Sequence, residues 1–189
     1  HFVVFLQKTC MIKISIIIPV YNVAPYLDAT FGSLLTQTLH DIEVIAVDDG
    51  STDGSGEIIE RYAAGDSRIT CLHQQNGGAS VARNRGMELA TGEYVYFMDA
   101  DDLIAPETIS LLHENVTKHA AEIAFGSYKK VIYKPSGDND GASGEKELYS
   151  YPDAVLTGKG CLAEFAFRKY GGIQAAVWNW LVDLSFLRA

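Results

Sequence analysis

The 189-residue chain has few cysteines and no long uninterrupted hydrophobic run. Cys10, Cys71 and Cys161 are widely spaced and include no Cys-x-x-Cys pair. This excludes the common zinc and dithiol redox motifs and favours reduced thiols in the cytoplasm. The longest apolar candidate, residues 14–27, is interrupted by two prolines and an asparagine. The sequence therefore predicts no membrane span, and any membrane contact would be peripheral, at the inner face.

Basic residues are also scarce. Fifteen lysines and arginines stand against 24 acidic residues, and the net charge is -9. Binding to a nucleic-acid backbone depends on clustered Lys and Arg, so the composition argues against a nucleic-acid partner. A small anionic ligand held through a metal ion is still compatible with this charge.

The glycine-rich phosphate-binding motifs are absent after the first predicted strand. Residues 19–22 read Pro-Val-Tyr-Asn where a dehydrogenase would carry Gly-x-Gly-x-x-Gly and a P-loop protein its own glycine-rich turn. A nucleotidyltransferase that makes sugar nucleotides would need a glycine-rich basic loop at the same place. These three classes of nucleotide-binding protein are therefore disfavoured.

Short apolar segments alternate with amphipathic segments along most of the chain. Strands are predicted at residues 14–18, 42–47, 68–73, 94–98 and 123–128, with helices between them. This alternation predicts an α/β fold with a mainly parallel central sheet, right-handed crossovers and flanking helices. One domain over residues 11–189 is expected, with residues 1–10 an upstream extension or a remnant of cloning before a natural start at Met11.

Local signals predict where the helices begin and end. Asn22 or a neighbour is expected to cap the first helix, and residues 51–53 the second. A third helix is expected to place Gly86 and Leu89 against the sheet and to end at Gly92 as its C-cap. Pro106 is expected to open a fourth helix. Further along, residues 134–147 are predicted to be a mobile loop, residues 151–170 helical and residues 175–182 a strand or buried turn.

Two clusters of acids follow predicted buried strands. Asp48 and Asp49 follow residues 42–47, and Asp99, Asp101 and Asp102 follow residues 94–98. Since ligands of parallel α/β sheets collect at the carboxyl ends of the strands, both clusters are expected at one site. Crowded carboxylates need a counter-charge, for which a divalent cation is well suited. The clusters thus predict a metal-assisted site for an anionic ligand.

Four segments together resemble family 2 glycosyltransferases. They are Ser-Ile-Ile-Ile-Pro-Val-Tyr-Asn at 15–22, Val-Asp-Asp-Gly-Ser-Thr-Asp at 47–53, Gly-Ala-Ser-Val-Ala-Arg-Asn-Arg-Gly at 78–86 and Met-Asp-Ala-Asp-Asp at 98–102. The resemblance extends over residues 12–187. It implies the GT-A fold, a nucleotide-binding α/β sandwich, and the inverting transfer of a sugar from a nucleotide-diphosphate donor to an acceptor hydroxyl.

The resemblance also implies roles for residues near the first two strand ends. Pro19, Tyr21 and Asn22 correspond to residues that border the nucleotide base. Asp49 corresponds to the carboxylate that hydrogen-bonds the base, usually uracil. Asp48 is interpreted as a residue that supports the turn.

A second group of residues is implied for the sugar-diphosphate end. Asp99 corresponds to the acid near the ribose, and Asp101 to the acid that reaches Mg²⁺ or Mn²⁺. Asp102 is expected to support these two acids without contacting the ligand itself. Arg83, in preference to Arg85, is expected to contact phosphate.

An inverting reaction needs a general base, and no residue here matches the family's acidic motif. Glu164 and Asp183 lie near residues 176–181, the segment that such a motif would follow, but neither fits the motif. The base is therefore expected beyond Ala189. The chain is accordingly expected to bind nucleotide but to transfer sugar poorly. The acceptor would be a saccharide, a lipid-linked molecule or a protein, in the synthesis of cell-surface polysaccharide or glycoconjugate. The alternative is a catalytically incomplete nucleotide-binding or assembly module.

Other interpretations concern single motifs. Asp49, Ser51, Asp53, Gly54 and Glu60 match a relaxed EF-hand loop, but a strand precedes it and Gly56 stands where an apolar residue belongs. The histidines show no metal spacing and are assigned no role.

The two tryptophans, Trp178 and Trp180, are interpreted as core residues. The alternative for Trp178 is that it lines the acceptor pocket.

Overall fold

The computed structural model describes residues 13–132, 145–149 and 180–188. The strands in this part of the chain are β1 (Ile14–Val20), β2 (Ile42–Asp48), β3 (Ile69–His73), β4 (Tyr94–Phe97), β5 (Ile123–Phe125), β6 (Tyr128–Ile132), β7 (Glu145–Tyr149) and β8 (Trp180–Asp183). The helices are α1 (Ala24–Leu35), α2 (Ser55–Gly65), α3 (Ala79–Leu89), α4 (Thr108–His119) and α5 (Leu184–Arg188).

Six strands form one sheet in the order β3-β2-β1-β4-β8-β5. β1 pairs in parallel with β2 and β4, and β2 pairs in parallel with β3. β8 enters between β4 and β5 and is antiparallel to both. β6 and β7 form a separate antiparallel pair. The predicted α/β fold with a mainly parallel central sheet is confirmed.

The sheet is covered by helices on both faces. One buried cluster contains Ile16 and Ile18 of β1 together with apolar residues of α1, α2 and α4. The other contains Ile17 of β1 together with residues of α3 and α5. Because successive side chains of a strand point to opposite faces, a central strand covered on both sides needs apolar residues at almost every position. This explains the uninterrupted isoleucines of β1.

Gly86 lets α3 lie close to β1, as predicted. A Cβ atom at this position would lie 2.5 Å from Cγ2 of Ile17, which is closer than side chains pack. The helix therefore depends on the missing side chain for its distance from the sheet.

The prediction for the end of α3 is wrong. The helix ends at Leu89, with Ala90 as the C-cap, and Leu89 is 41% exposed instead of facing the sheet. Gly92 has a different function, because its N–H donates to Oγ of Ser15 at 2.9 Å and a Cβ would lie 2.8 Å from the Ser15 nitrogen. Gly92 thus allows the chain to pass beside the start of β1.

Strand predictions fail mainly at their ends. β1 continues through Pro19 to Val20, beyond the last β1–β4 pair, Ile17 with Phe97. The single strand predicted at 123–128 is two strands, since β5 ends at Phe125 and β6 begins at Tyr128. The loop predicted at 134–147 overlaps β7, which begins at Glu145.

Several predictions lie outside the described residues. These are the helix at 151–170, residues 175–179 of the last predicted strand, residues 133–144 of the loop, and Trp178. Trp180 is described: it begins β8, is partly buried, and its ring centroid is 5.9 Å from that of Phe125. This agrees with its interpretation as a packing residue.

No helix in the described ranges is both long enough and apolar enough to cross a bilayer.

Candidate functional site

The strand order reverses direction between β1 and β4, so the switch point of the sheet lies at their carboxyl ends. From β1 the chain proceeds to β2 and β3 on one side of the sheet order, then crosses to β4 on the other side. Ligands of open α/β sheets bind at such a switch point. Tyr21 and Asn22 follow β1, Asp49 follows β2, and Asp99 and Asp101 follow β4, so the structure brings the predicted site residues to one edge.

Asp49 is 2% exposed and is held by the segment before α3. Its Oδ1 accepts hydrogen bonds from Nε2 of Gln74 at 2.7 Å and from the N–H of Gly77 at 2.8 Å. Its Oδ2 accepts from the N–H of Gly78 at 2.7 Å. Burial raises the pKa of this carboxyl, but these three bonds outweigh it and keep the pKa below its usual value.

A carboxylate has about four lone-pair positions, so the three hydrogen bonds leave Asp49 the capacity to accept from one further donor. Its predicted bond to a nucleotide base is compatible with this geometry. The structure also assigns it an anchoring role that the sequence did not indicate, because its partner Gln74 belongs to no recognised motif.

A glycine makes the anchoring possible. Gly50 has a φ of 78°, and a Cβ there would lie 3.0 Å from the backbone nitrogen of Asn76. The turn after β2 and the segment after β3 are therefore in direct backbone contact.

Asp48 supports the turn, as interpreted from the sequence. It is 5% exposed, and its Oδ1 accepts from the N–H of Ser51 at 3.0 Å. Its Oδ2 lies 2.9 Å from Nδ1 of His73. Burial raises the pKa of Asp48, but the bonds from Ser51 and His73 and the charge of His73 lower it below its usual value. His73 is thus a site residue that sequence reasoning missed.

The loops after β1 and β2 hold each other. The N–H of Asn22 donates to Oγ of Ser51 at 3.1 Å, and the N–H of Thr52 donates to Oδ1 of Asn22 at 2.8 Å. Asn22 has a φ of 52°, a conformation that asparagine tolerates. These bonds fix the backbone next to Tyr21, whose side chain is 50% exposed.

The N-cap of α1 is Val23, a neighbour of Asn22, and it makes no side-chain cap bond. The N–H of Ala24 donates instead to Oδ2 of Asp53 at 3.0 Å, and the N–H of Val23 to Oγ of Ser55 at 3.0 Å. Asp53 also accepts from the N–H of Ser55 in α2, whose N-cap is Gly54. One side chain therefore serves the N-termini of two helices.

Asp99 is paired with Arg83. Nη2 of Arg83 donates to Oδ1 of Asp99 at 2.7 Å, and the two side chains are 20% and 33% exposed, respectively. Nε of Arg83 is buried with no hydrogen-bond partner in the described structure. Arg83 therefore has donor capacity left beyond Asp99. Arg85 pairs with Glu88 on the surface, which agrees with the preference for Arg83.

Asp101 is exposed, and its carboxylate makes no hydrogen bond or ion pair within the described residues. Asp102 is partly buried next to it. Burial, followed by the charges of Asp99 and Asp101, raises the pKa of Asp102 to about 6. The carboxyl end of β4 thus concentrates negative charge, and among the described residues only Arg83 pairs with it.

The carboxylates after β4 fit a hard divalent cation with few protein ligands. Among residues 13–132, 145–149 and 180–188, no three His, Cys, Asp or Glu side chains converge to hold a metal. Mg²⁺ is commonly bound by one or two carboxylates together with substrate phosphates. Asp101 with a neighbouring carboxylate matches that pattern. Asp48 and Asp49, in contrast, have protein partners in place of the counter-cation expected from the sequence.

The helix α3 connects the two acidic clusters. The N–H of Gly78, which precedes α3, donates to Asp49, and Arg83 in the second turn donates to Asp99. The two clusters are therefore parts of one hydrogen-bonded unit at the edge of the sheet.

The structure also decides two alternatives from the sequence. Asp183 is paired with Tyr94 at the start of β4, about 16 Å along the strand from Asp99, so it is too distant to act as the base at this site. In the EF-hand alternative, Glu60 would share a calcium ion with Asp49, but Glu60 bonds to His73 and Asp49 to the segment before α3. Glu164 lies outside the described residues.

Comparison with known proteins agrees with this geometry. The chain matches the family model "Glycosyl transferase family 2" over residues 15–159. It is 37% identical to the glycosyltransferase GlyG of Streptococcus pneumoniae over 168 residues, which cover 88% of this chain and 51% of GlyG. It is 47% identical to the uncharacterized glycosyltransferase EpsJ of Bacillus subtilis over 118 residues, 62% of this chain and 34% of EpsJ.

Solved structures show the same fold. The Staphylococcus aureus TarS 1–349 complex with UDP has a TM-score of 0.55 and 32% identity, covering 59% of this chain and 34% of that one. The mannosyltransferase PcManGT of Pyrobaculum calidifontis, in complex with GDP-Man and Mn²⁺, has a TM-score of 0.52 and 30% identity, covering 61% and 34%. This chain spans about half the length of these relatives or less. The fold, the edge site and the match over most of the sequence together show that the chain belongs to glycosyl transferase family 2.

Proposed function

We propose that this chain binds the nucleotide-sugar donor, in particular a UDP-sugar, of a metal-assisted inverting glycosyltransferase. The observation that carries the proposal is the arrangement around α3, which joins Asp49 and Asp99 at the switch point of the sheet. TarS has been solved with UDP and with UDP-GlcNAc, which supports a uridine nucleotide.

The base of the donor would lie between the loops after β1 and β2. Pro19, Tyr21 and Asn22 line this end, and Asp49 offers one remaining acceptor position to a base N–H. The exposed ring of Tyr21 has a face on which a base can stack. The bonds between Asn22 and the β2–α2 loop hold this end in place without a ligand.

The diphosphate would lie at the end of β4. Asp101, with a neighbouring carboxylate, would hold Mg²⁺ or Mn²⁺, and Asp99 would lie near the ribose. When bound, the ion would neutralise the charge that develops on the leaving diphosphate. Arg83 is partly exposed and its Nε has no partner among the described residues, which supports a role for this guanidinium near the same anionic group. The Mn²⁺ in PcManGT supports the choice of metal.

Transfer with inversion would need a general base on the face of the sugar opposite the diphosphate. Asp183 lies too far from Asp99 along β4 for that function. The acceptor is proposed to be a saccharide, a lipid-linked molecule or a protein in cell-surface glycoconjugate synthesis, with the enzyme in the cytoplasm or at the inner face of the membrane. The competing proposal is a nucleotide-binding module without transferase activity.

Calorimetric titration with UDP, with and without Mn²⁺, tests the donor site. We expect Asp101→Asn to abolish the Mn²⁺-dependent part of UDP affinity, about tenfold or more, because a carboxylate ligand is lost. Glu114→Gln is the matched control, since it removes one exposed carboxylate on α4, far from the strand ends.

The two variants separate specific from general charge effects. An equal loss in Asp101→Asn and Glu114→Gln would assign the effect to net charge and contradict the metal site. Absence of UDP binding by the unmodified protein would contradict the donor-binding function itself. Measured transfer of sugar by the chain would decide against the module without activity.

A further inference from the structure

His73, the last residue of β3, lies between two carboxylates. Its Nδ1 is 2.9 Å from Oδ2 of Asp48, and its Nε2 is 3.0 Å from Oε1 of Glu60. Both ring nitrogens can donate only in the imidazolium form. With an acceptor on each side, the geometry favours a protonated ring.

The first turn of α2 covers one side of the pair, while the side chain of His73 is 48% exposed on the other. A Cβ at Gly56 would lie 3.0 Å from Oδ2 of Asp48 and 3.3 Å from Cε1 of His73. The backbone of α2 thus lies directly against the His73–Asp48 contact. A change in that contact is therefore felt first by α2 and by the loop that leads into it.

A continuous chain of hydrogen bonds connects His73 with the loop after β1. Asp48 accepts from His73 with one oxygen and from the N–H of Ser51 with the other. Oγ of Ser51 accepts from the N–H of Asn22, and Asn22 in turn accepts from Thr52. These are the loops between which the base of the donor is proposed to bind.

We propose that His73 is a positioning residue for the base-binding end of the site. In its protonated form it donates to Asp48 and Glu60 at once, whereas the neutral ring can keep only one of these two bonds. Through Asp48 the protonated ring holds the β2–α2 loop in the geometry that receives the nucleotide. Donor affinity therefore falls as His73 loses its proton. This inference rests on the proposed function, and it adds pH regulation of the same site.

The groups around His73 set the direction of the effect. The bond to Asp48 raises the pKa of His73 most, burial lowers it, and the bond to Glu60 and the charges of both acids raise it, for a net upward shift. Cys71, whose Sγ is 3.5 Å from Nε2, stays neutral because burial and the two acids raise its pKa to about 11. Donor affinity should thus be highest below the ordinary histidine pKa of about 6.5 and should fall as the pH rises through the raised pKa of His73.

Binding of UDP-GlcNAc with Mn²⁺, measured at about pH 6 and about pH 8.5, tests this. The diphosphate of UDP-GlcNAc has no terminal phosphate monoester, so it does not titrate in this interval. For the unmodified protein we expect affinity to fall about threefold or more over the interval. His73→Gln, which keeps one N–H donor but cannot be charged, should lose this fall and keep only the change in affinity that Asp102, whose pKa is about 6, contributes. His40→Gln, at the opposite edge of the sheet, should behave like the unmodified protein.

Nuclear magnetic resonance of the ligand-free protein gives a second, independent measurement. The amide signals of Ser51 and Asn22 should shift with the same midpoint as the ring of His73. Glu60→Gln removes one negative charge at the exposed side and should lower that midpoint without abolishing the shift. It also serves if His73→Gln fails to fold.

The outcomes distinguish the two proposals. If His73→Gln keeps the pH dependence of the unmodified protein, or if the Ser51 and Asn22 amides do not follow His73, the positioning role is overturned and the donor site stands. If neither the unmodified protein nor any variant binds UDP-GlcNAc, the proposed function fails, and the role of His73 in donor binding fails with it.

Discussion

The absence of a side chain at position 86 determines how closely α3 approaches β1. Gly86→Ala would place a methyl group 2.5 Å from Ile17, so α3 or the strand would have to shift. We expect a loss of about 1–3 kcal/mol in the free energy of unfolding, measured by urea titration.

Gly32→Ala in α1 is the matched control, because a Cβ there meets nothing within 4 Å. It should leave stability unchanged or raise it by up to about 1 kcal/mol, since alanine favours the helix. A Gly86→Ala variant as stable as Gly32→Ala would contradict the close contact.

Some site residues were predictable from the sequence and others were not. Asp49 and Asp99 each follow an apolar strand, and this pattern placed them at one edge of the sheet. His73 and Gln74 stand at the corresponding end of β3, but the weaker apolar pattern of that strand gave no reason to assign them a role. Their importance follows from contacts with β2 that local sequence does not contain.

At the scale of elements, the N-termini of α1 and α2 share one acceptor. Asp53→Ala removes the bonds to Ala24 and Ser55 together. We expect the free energy of unfolding to fall by about 1–2 kcal/mol, the usual cost of a lost helix cap. Thermal unfolding followed by circular dichroism would measure it.

Asp53→Asn provides the comparison, because its side chain keeps one oxygen acceptor and should lose less than Asp53→Ala. Equal losses would show that charge, and not the acceptor, stabilises the two helices.

Periodicity predicted the elements of the sheet but not how they begin and end. The buried stripe Ile109, Leu112 and Val116 of α4 was correct, because 3.6-residue spacing reports burial directly. The side chains that accept from the start of α1 could not be predicted, because they come from the β2–α2 loop and the first residue of α2, about 30 residues away in the chain, and propensity describes only near neighbours. Gly92 was misassigned for the same reason, since its contact is with Ser15.

At the scale of the whole molecule, part of the net charge of -9 collects at the end of β4. Burial and the charges of Asp99 and Asp101 raise the pKa of Asp102 from its ordinary value near 3.8 to about 6 in the folded protein. Folding therefore favours the protonated form, and stability falls as pH rises from about 4 to about 6. Asp102→Asn should raise stability at about pH 7.5 by about 1 kcal/mol, after allowance for solvent screening, and not at about pH 4.

Urea unfolding with a chelator present would measure this difference, since a divalent cation would also neutralise the cluster. Glu114→Gln, which removes an exposed acid elsewhere, should show no such pH dependence. A stability gain for Asp102→Asn that is the same at both pH values would contradict the raised pKa.

The tight seating of α3 on the sheet has an entropic consequence. Because Gly86 holds the helix against Ile17 while Gly78 and Arg83 hold Asp49 and Asp99, the spacing between the two acids is set by packing before any molecule arrives. For a ligand that reaches from one acid to the other, the site is therefore preorganised, and the protein loses less conformational freedom on association. Loosening α3 should accordingly weaken long ligands more than short ones that touch a single acid.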